Sequence, residues 1–559
     1  MKLIKKAIAL FITVILLISS SSCFYGLFKP VDGLKGLPAY TLTEDEVLNA
    51  ENLLNEAKRV TVANKSTYEI NVAWSNFIDS YYYVSTQANV AFIRHCLDVT
   101  NQVNKDNYLF ASESATEMYG KYTNALKEVY NSDAREKFFQ GWTQEDIDAI
   151  LKHDESVVKL ENENSTLEVE HSSLSSANFY DGTTDIYKKI VKNNNEIAKK
   201  FGYSNYYEYA YANVYGRVNG NVAQTLEKYK DFKSNVFSNV IDWIDEMQAR
   251  FNTAKNGMGQ AELKKLQDVL TTPYDKSATN YWNGYLDSLT DDDLKKQLNH
   301  AFEYENVVFA SSSNAREIAF TVYLPDYSKS MCYFGADYQD VFTISHEIGH
   351  YYANMHGGLN NNSMDLNETH SQSNEMLLLA YLQSAMSEEM FNAVESYVLL
   401  NMFTNVLIGV LIDEFEYQVY TKASVENYTS ADFDGIMNSV CEKFGGKNIV
   451  EKYLLNVNNY WRKVVVSQPA YYVSYATSAV GAIGLYVMAT EDFESAQSSY
   501  VYLIEKVDSS KGFESALSSA GYLNPMSSEA FSEINKFIKG VGVVGDGKND
   551  GAENLRMVA

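Results

Sequence analysis

Proline and glycine are scarce, 6 and 29 of 559 residues. That scarcity excludes collagen-like chains and Pro/Gly-rich disordered ones. Cysteine is scarcer still, at 4, and Cys96, Cys332 and Cys441 have neither CxxC spacing nor close neighbours. A disulfide framework is therefore excluded, and buried free thiols are expected. Basic residues are outnumbered, 46 Lys and Arg against 72 Asp and Glu, for a net charge of −26. Such a balance argues against nucleic acid as a partner. No histidine follows His370.

What remains is 46% hydrophobic and 13% aromatic, the composition of a helix-rich globular protein with a large core. The length accommodates two to four average domains, or one large helical enzyme. Tyrosine stands out at 43. Half-buried helix positions, with the ring inside and the hydroxyl wet, are the expectation for most of them.

The N-terminus has the order of an export signal. Residues 1–6 are basic, residues 7–18 form an apolar run too short for a comfortable membrane span, and Ser19 to Ser22 supply small residues before Cys23. A small-residue stretch ending in Cys resembles a bacterial lipobox, although Ser20 stands where Leu is usual. The expectation is a signal peptide over 1–22, a lipidated Cys23, a tether over 23–42, and an exported protein held at the cell membrane. Thr43 and Glu46 then form a Thr-x-x-Glu capping box ahead of a helical apolar period. A helical region is expected over 43–215, including helices at 150–160 and 186–201, followed by a catalytic region over 216–539. Strand character is confined to 320–325 and 331–334, joined by a turn. Helices are expected again over 375–420 and 471–491. The segment 540–559 reads as a flexible tail, because its faint calcium-loop pattern has Lys548 at a ligand position and Met557 where Glu is required.

Chemistry concentrates in His346-Glu347-Ile348-Gly349-His350, a His-Glu-x-x-His motif in a segment, 340–355, that reads as a helix ended by Gly357-Gly358. Residues i and i+4 share a helix face, so both imidazoles can reach one zinc, with Glu347 beside the open position where water is activated. Four of the eight histidines fall between positions 346 and 370. A catalytic zinc needs a third protein ligand, and the candidates are His356, Glu368, His370 and Glu375. His356 has metzincin spacing, but Ala353 takes the position of the glycine that lets such a chain turn. Glu368, Gln372 and Glu375 share one helical face. Glu368 is the expected ligand and Glu375 the acceptor that orients an imidazole, the reverse remaining open.

The run from Asp340 to His350, followed by Glu368-x-x-Ser371-x-x-x-Glu375, resembles the thimet oligopeptidase and oligoendopeptidase F family of zinc peptidases. Residues 195–210 and the run Pro469-Ala-Tyr-Tyr472-Val-Ser-Tyr475 are similar to two further segments of that family. The resemblance implies Glu368 as third ligand and one zinc per chain. It also implies a mainly α fold of two lobes around a deep channel, a small β-sheet near the active site, and short peptides as substrates. One departure matters: relatives often carry a histidine near the oxyanion where Val464 stands here. A hydroxyl must then serve, Tyr475 first and Tyr472 one turn earlier on the same face, unless these tyrosines only pack. Two rivals stay open, a metzincin-like protease using His356 and a non-catalytic peptide-binding lipoprotein.

Overall fold

The computed structural model describes residues 36–271, 279–356, 363–454 and 456–540. The leader, Cys23 with its tether as far as residue 35, the Gly357-Gly358 pair and the tail beyond 540 lie outside the described residues. The described residues start with α1 (Glu44–Val62), α2 (Thr67–Leu97) and α3 (Gln102–Tyr130). Thr43 with Glu46, and Ser66 with Glu69, cap the first two in reciprocal boxes. The apolar faces of these helices enclose a core of their own around Trp74, whose ring lies 5.8 Å from Tyr122 and 5.3 Å from Phe138.

The expected single helix at 150–160 is in fact two, α4 (Gln144–Lys152) and α5 (Glu155–Ser172). Asp154 interrupts them because its carboxylate accepts from Ser156 N and Val157 N as an N-cap. Helix α6 (Phe179–Phe201) ends at Gly202, whose φ of +93° closes the helix in a left-handed cap. Helix α7 (Val222–Gly257) follows.

Three strands precede the His-Glu-x-x-His motif: β1 (Val307–Phe309), β2 (Ala319–Leu324) and β3 (Lys329–Phe334). The order is β1-β3-β2, with β1 parallel and β2 antiparallel to β3. β1 escaped the sequence because three residues are too few to show alternation. The register fixes which main-chain groups of β2 are free. Gly335 N donates to Ile318 O, so even-numbered residues of β2 bond to β3 and odd-numbered ones turn away from it. Tyr323 O accepts from Asn89 Nδ2, leaving the outward groups of Ala319 and Thr321 at the sheet edge.

Four helices build the rest of the centre: α8 (Val341–Met355), α9 (Met364–Ala385), α10 (Glu388–Tyr420) and α11 (Val473–Glu491). The expected helix at 375–420 breaks before Ser387, whose hydroxyl accepts from Met390 N and caps α10. All four belong to a second, larger core that runs from Leu167 to Ile538. Met376 to Leu379 are wholly buried there. Each such aliphatic side chain stabilises the packing by about 1.5–3 kcal/mol. By composition α10 and α11 are long and apolar enough to cross a membrane, yet both lie mostly inside the protein.

Several tyrosines depart from the half-buried expectation, while others, Tyr472 and Tyr475 among them, meet it. Tyr207 and Tyr211 are fully buried and donate to Asp413, as Tyr229 does to Asp365 and Tyr486 to Glu395. Here the hydroxyls satisfy buried carboxylates and do not reach water. Cys96, Cys332 and Cys441 are buried free thiols.

Candidate metal centre

Helix α8 begins at Asp340, whose carboxylate accepts from Phe342 N and Thr343 N at 3.0 and 3.1 Å. Its buried face carries Ile344, Ile348 and Tyr351 into the core, which leaves His346 and His350 partly open on the opposite side. Their rings lie 4.9 Å apart and nearly perpendicular. Across from them stands α9, whose first half buries Asp365, Glu368, Thr369, His370, Ser371, Gln372, Ser373 and Asn374. A run of buried polar groups needs partners, so it marks a built site and not a packing surface.

His346, His350 and Glu368 each offer one ligand atom, and these lie within 4.8 Å of one another. The Oε2 of Glu368 is 3.5 Å from His346 Nε2 and 3.7 Å from His350 Nε2. That oxygen is buried without a hydrogen-bond partner, while Oε1 accepts from the Tyr471 hydroxyl. An unpartnered carboxylate oxygen facing two imidazole nitrogens is a donor set that could hold a metal ion. Two turns along α9, Glu375 Oε1 lies 2.7 Å from His346 Nδ1. A carboxylate there accepts a hydrogen bond from Nδ1–H, which keeps the proton on Nδ1 and leaves the Nε2 lone pair free for a metal.

Electrostatics favour positive charge at this point. Burial opposes charge on His346, but Glu368 and Glu375 together outweigh it and raise its pKa well above the usual value. Burial holds His350 down at about 4, so its nitrogen stays available as a ligand. Glu347 follows His346 directly and is held from the sheet side. Its Oε2 accepts from Thr321 Oγ1 on β2 at 2.7 Å, and burial pushes its carboxyl up to about 7 against the opposing pull of His346 and Thr321.

The remaining expected residues fall in three places. His356 caps the end of α8, 3.4 Å from Glu505 and edge-on to Tyr352, and is not brought into the cluster. His370 is buried on α9 with both ring nitrogens unpartnered, and it too stands outside the three-residue group. Tyr471, Tyr472 and Tyr475 form a mutual edge-on trio beside Glu368. Burial foremost, then Glu368, Tyr472 and Glu347, raise the Tyr475 phenol well above its ordinary range. On Tyr472 the carboxylates that act are Glu368 and Glu416. Val464 ends a short helix and packs half-buried against the main core. Sequence reasoning missed Thr321 and Tyr471. Thr321 lay inside a segment noted only for its strand character, and Tyr471 stood next to Tyr472 in a helical period that could not separate them.

No family model matches the chain, and no curated protein does. Its fold class is that of large helical proteins with one small sheet, and solved peptidase structures share it. Similar chains include PZ peptidase A with an inhibitor, at 16% identity and a TM-score of 0.69, with 90% of this chain and 98% of that one covered. A protein assigned as oligoendopeptidase F is similar at 16% identity and 0.68, with 91% and 98% covered. Another so assigned, from Bacillus anthracis str. Ames, gives 16% and 0.65, with 89% and 97% covered. The particular fold is therefore the helical fold of the solved oligoendopeptidases.

Proposed function

We propose that the protein is a zinc-dependent peptidase that hydrolyses peptide bonds in short peptides outside the cell. The observation that carries this is the meeting of His346 Nε2, His350 Nε2 and the unpartnered Glu368 Oε2, with Glu347 directly after His346 on the same helix. One ion per chain would be held by His346, His350 and Glu368, with Glu375 fixing the His346 tautomer. The chemistry such an ion supplies when bound is Lewis acidity toward the scissile carbonyl and the attacking water.

Glu347 is the proton carrier. It removes a proton from the water as the water attacks and returns it to the leaving amine, with Thr321 holding one oxygen in place. Tyr475 donates to the developing oxyanion, and Tyr472 holds the substrate backbone nearby. The outward main-chain groups of Ala319 and Thr321 pair with an extended peptide laid along β2, which brings its carbonyl beside Glu347. The fold shared with solved oligoendopeptidases supports short peptides as the substrate class. Residues 1–23 support export and a lipid anchor on Cys23.

A mixed peptide library digested with and without chelator, with zinc added back, tests the reading by mass spectrometry. Cleavage of short peptides that chelator abolishes and zinc restores is expected. No cleavage, or cleavage indifferent to chelator, sinks it.

A further inference from the structure

We propose that Arg217 and Asp365 are positioning residues of the metal centre. Through the turn at 469–471 they set the Tyr471 hydroxyl against one oxygen of Glu368, so that a single oxygen of that carboxylate is left for the ion. The proposal rests on the functional reading above.

Arg217 Nε and Asp365 Oδ1 lie 3.0 Å apart with both side chains fully buried. A buried pair is weak evidence for stability by itself, because desolvation offsets much of the attraction. Its remaining contacts are what distinguish it. The Arg217 guanidinium donates to Ala470 O at 2.8 Å, to Tyr471 O at 3.0 Å and to Ser474 Oγ at 2.7 Å. Asp365 also accepts from Ser474 Oγ at 2.6 Å, from Thr477 Oγ1 at 2.8 Å and from the Tyr229 hydroxyl. One ion pair therefore joins the start of α9 to the start of α11, three residues before Glu368.

The turn it grips is strained. Ala470 has φ of +61°, a left-handed conformation that residues with a Cβ rarely adopt. Its N–H donates to Glu416 Oε1 at 2.9 Å, and Pro469 O accepts from the Tyr215 hydroxyl at 2.6 Å. Strain held from both flanks fixes the direction in which Tyr471 leaves the backbone. The Tyr471 ring then stands edge-on to Tyr215 at 5.6 Å, and its hydroxyl reaches Glu368 Oε1. Only Oε2 still faces His346 and His350.

Arg217→Lys keeps the charge and loses the planar fork that reaches two carbonyls and a hydroxyl. Tyr471→Phe removes the last link. Metal-depleted proteins are titrated with Zn²⁺ against a chromophoric chelator, and the visible bands of Co²⁺ bound in place of zinc report the coordination. Each variant should bind Zn²⁺ about tenfold more weakly or worse and shift the cobalt bands in the same sense, with circular dichroism unchanged. The double variant should bind no more weakly than Tyr471→Phe alone, since both act through one contact. If Arg217→Lys does not fold, Ser474→Ala takes its place in every arm. A variant that melts earlier yet keeps wild-type zinc affinity and cobalt bands reduces the pair to a brace and overturns the proposal, as does strict additivity in the double variant. A wild-type protein that takes up no zinc overturns the functional reading and this proposal with it.

Discussion

A Cβ added to Gly349 would stand 2.7 Å from the Cα of Ser371 and 3.0 Å from the carbonyl of His370. At the glycine inside the His-Glu-x-x-His motif α8 and α9 therefore approach too closely to admit a Cβ, one turn from His346 and beside the α9 segment that carries Glu368. Gly349→Ala should cost about 1–3 kcal/mol of stability and weaken zinc binding roughly tenfold or more by pushing a ligand back. Thermal melts of metal-free protein and a zinc titration read the two effects separately. A variant unchanged in both would mean the helix spacing does not govern the site.

Glu347→Gln should leave zinc binding close to wild type and lower turnover by about 10²- to 10⁴-fold. The amide still accepts from Thr321 but takes no proton from water. Metal analysis beside a peptide assay decides the matter, and a variant that keeps most of its turnover removes Glu347 from the reaction.

Glu368→Ala should abolish stoichiometric zinc uptake, whereas His356→Ala should retain it. The first deletes the buried oxygen facing both Nε2 atoms, and the second deletes a ring lying against Glu505 and Tyr352. The opposite order of occupancies would return the third ligand to His356.

How much of this was legible in the sequence depended on whether the signal was local. Helix α8 and the sharing of one face by His346 and His350 follow from a five-residue spacing, and the Thr43–Glu46 cap from a four-residue one. The strands β2 and β3 announced themselves by β-branched and aromatic runs. Long-range partners did not. Thr321 meets Glu347, 26 positions away, and Arg217 meets Asp365, 148 positions away, only because sheet and helices pack. Among three clustered tyrosines, periodicity placed Tyr472 and Tyr475 on one face but gave no hint that Tyr471 holds Glu368. The helix breaks at Asp154 and Ser387 were missed for a related reason, since the residues flanking each continued a helical apolar pattern that a single cap interrupted.

Cys23→Ser should move the protein from the membrane fraction to the medium, or block its maturation, with specific activity unchanged. One lipid-bearing cysteine is the expected tether. Fractionation and an activity assay on both fractions check it, and an unaltered distribution would mean that something other than a lipid on Cys23 holds the protein.

The tyrosines beside Glu368 divide by what their hydroxyls already do. Tyr471 is engaged with Glu368, so its phenol is committed to a carboxylate and cannot also serve an oxyanion. Tyr475 carries a half-buried phenol beside Tyr471 and Tyr472, and burial first, then Glu368, raise it well above its ordinary range, so under the proposed function it is the hydroxyl assigned to the oxyanion. Tyr475→Phe therefore removes a hydrogen bond that matters mainly in the transition state, and kcat should fall by about 10²-fold or more with little change in KM. Tyr472→Phe should act more weakly, or chiefly on KM, if that hydroxyl holds the substrate backbone as proposed. Steady-state kinetics on a defined short peptide, with zinc content matched, separate the two. The reverse pattern would exchange the roles within the pair. Indifference of both kcat values would assign the pair to packing and leave the oxyanion to be held without a tyrosine.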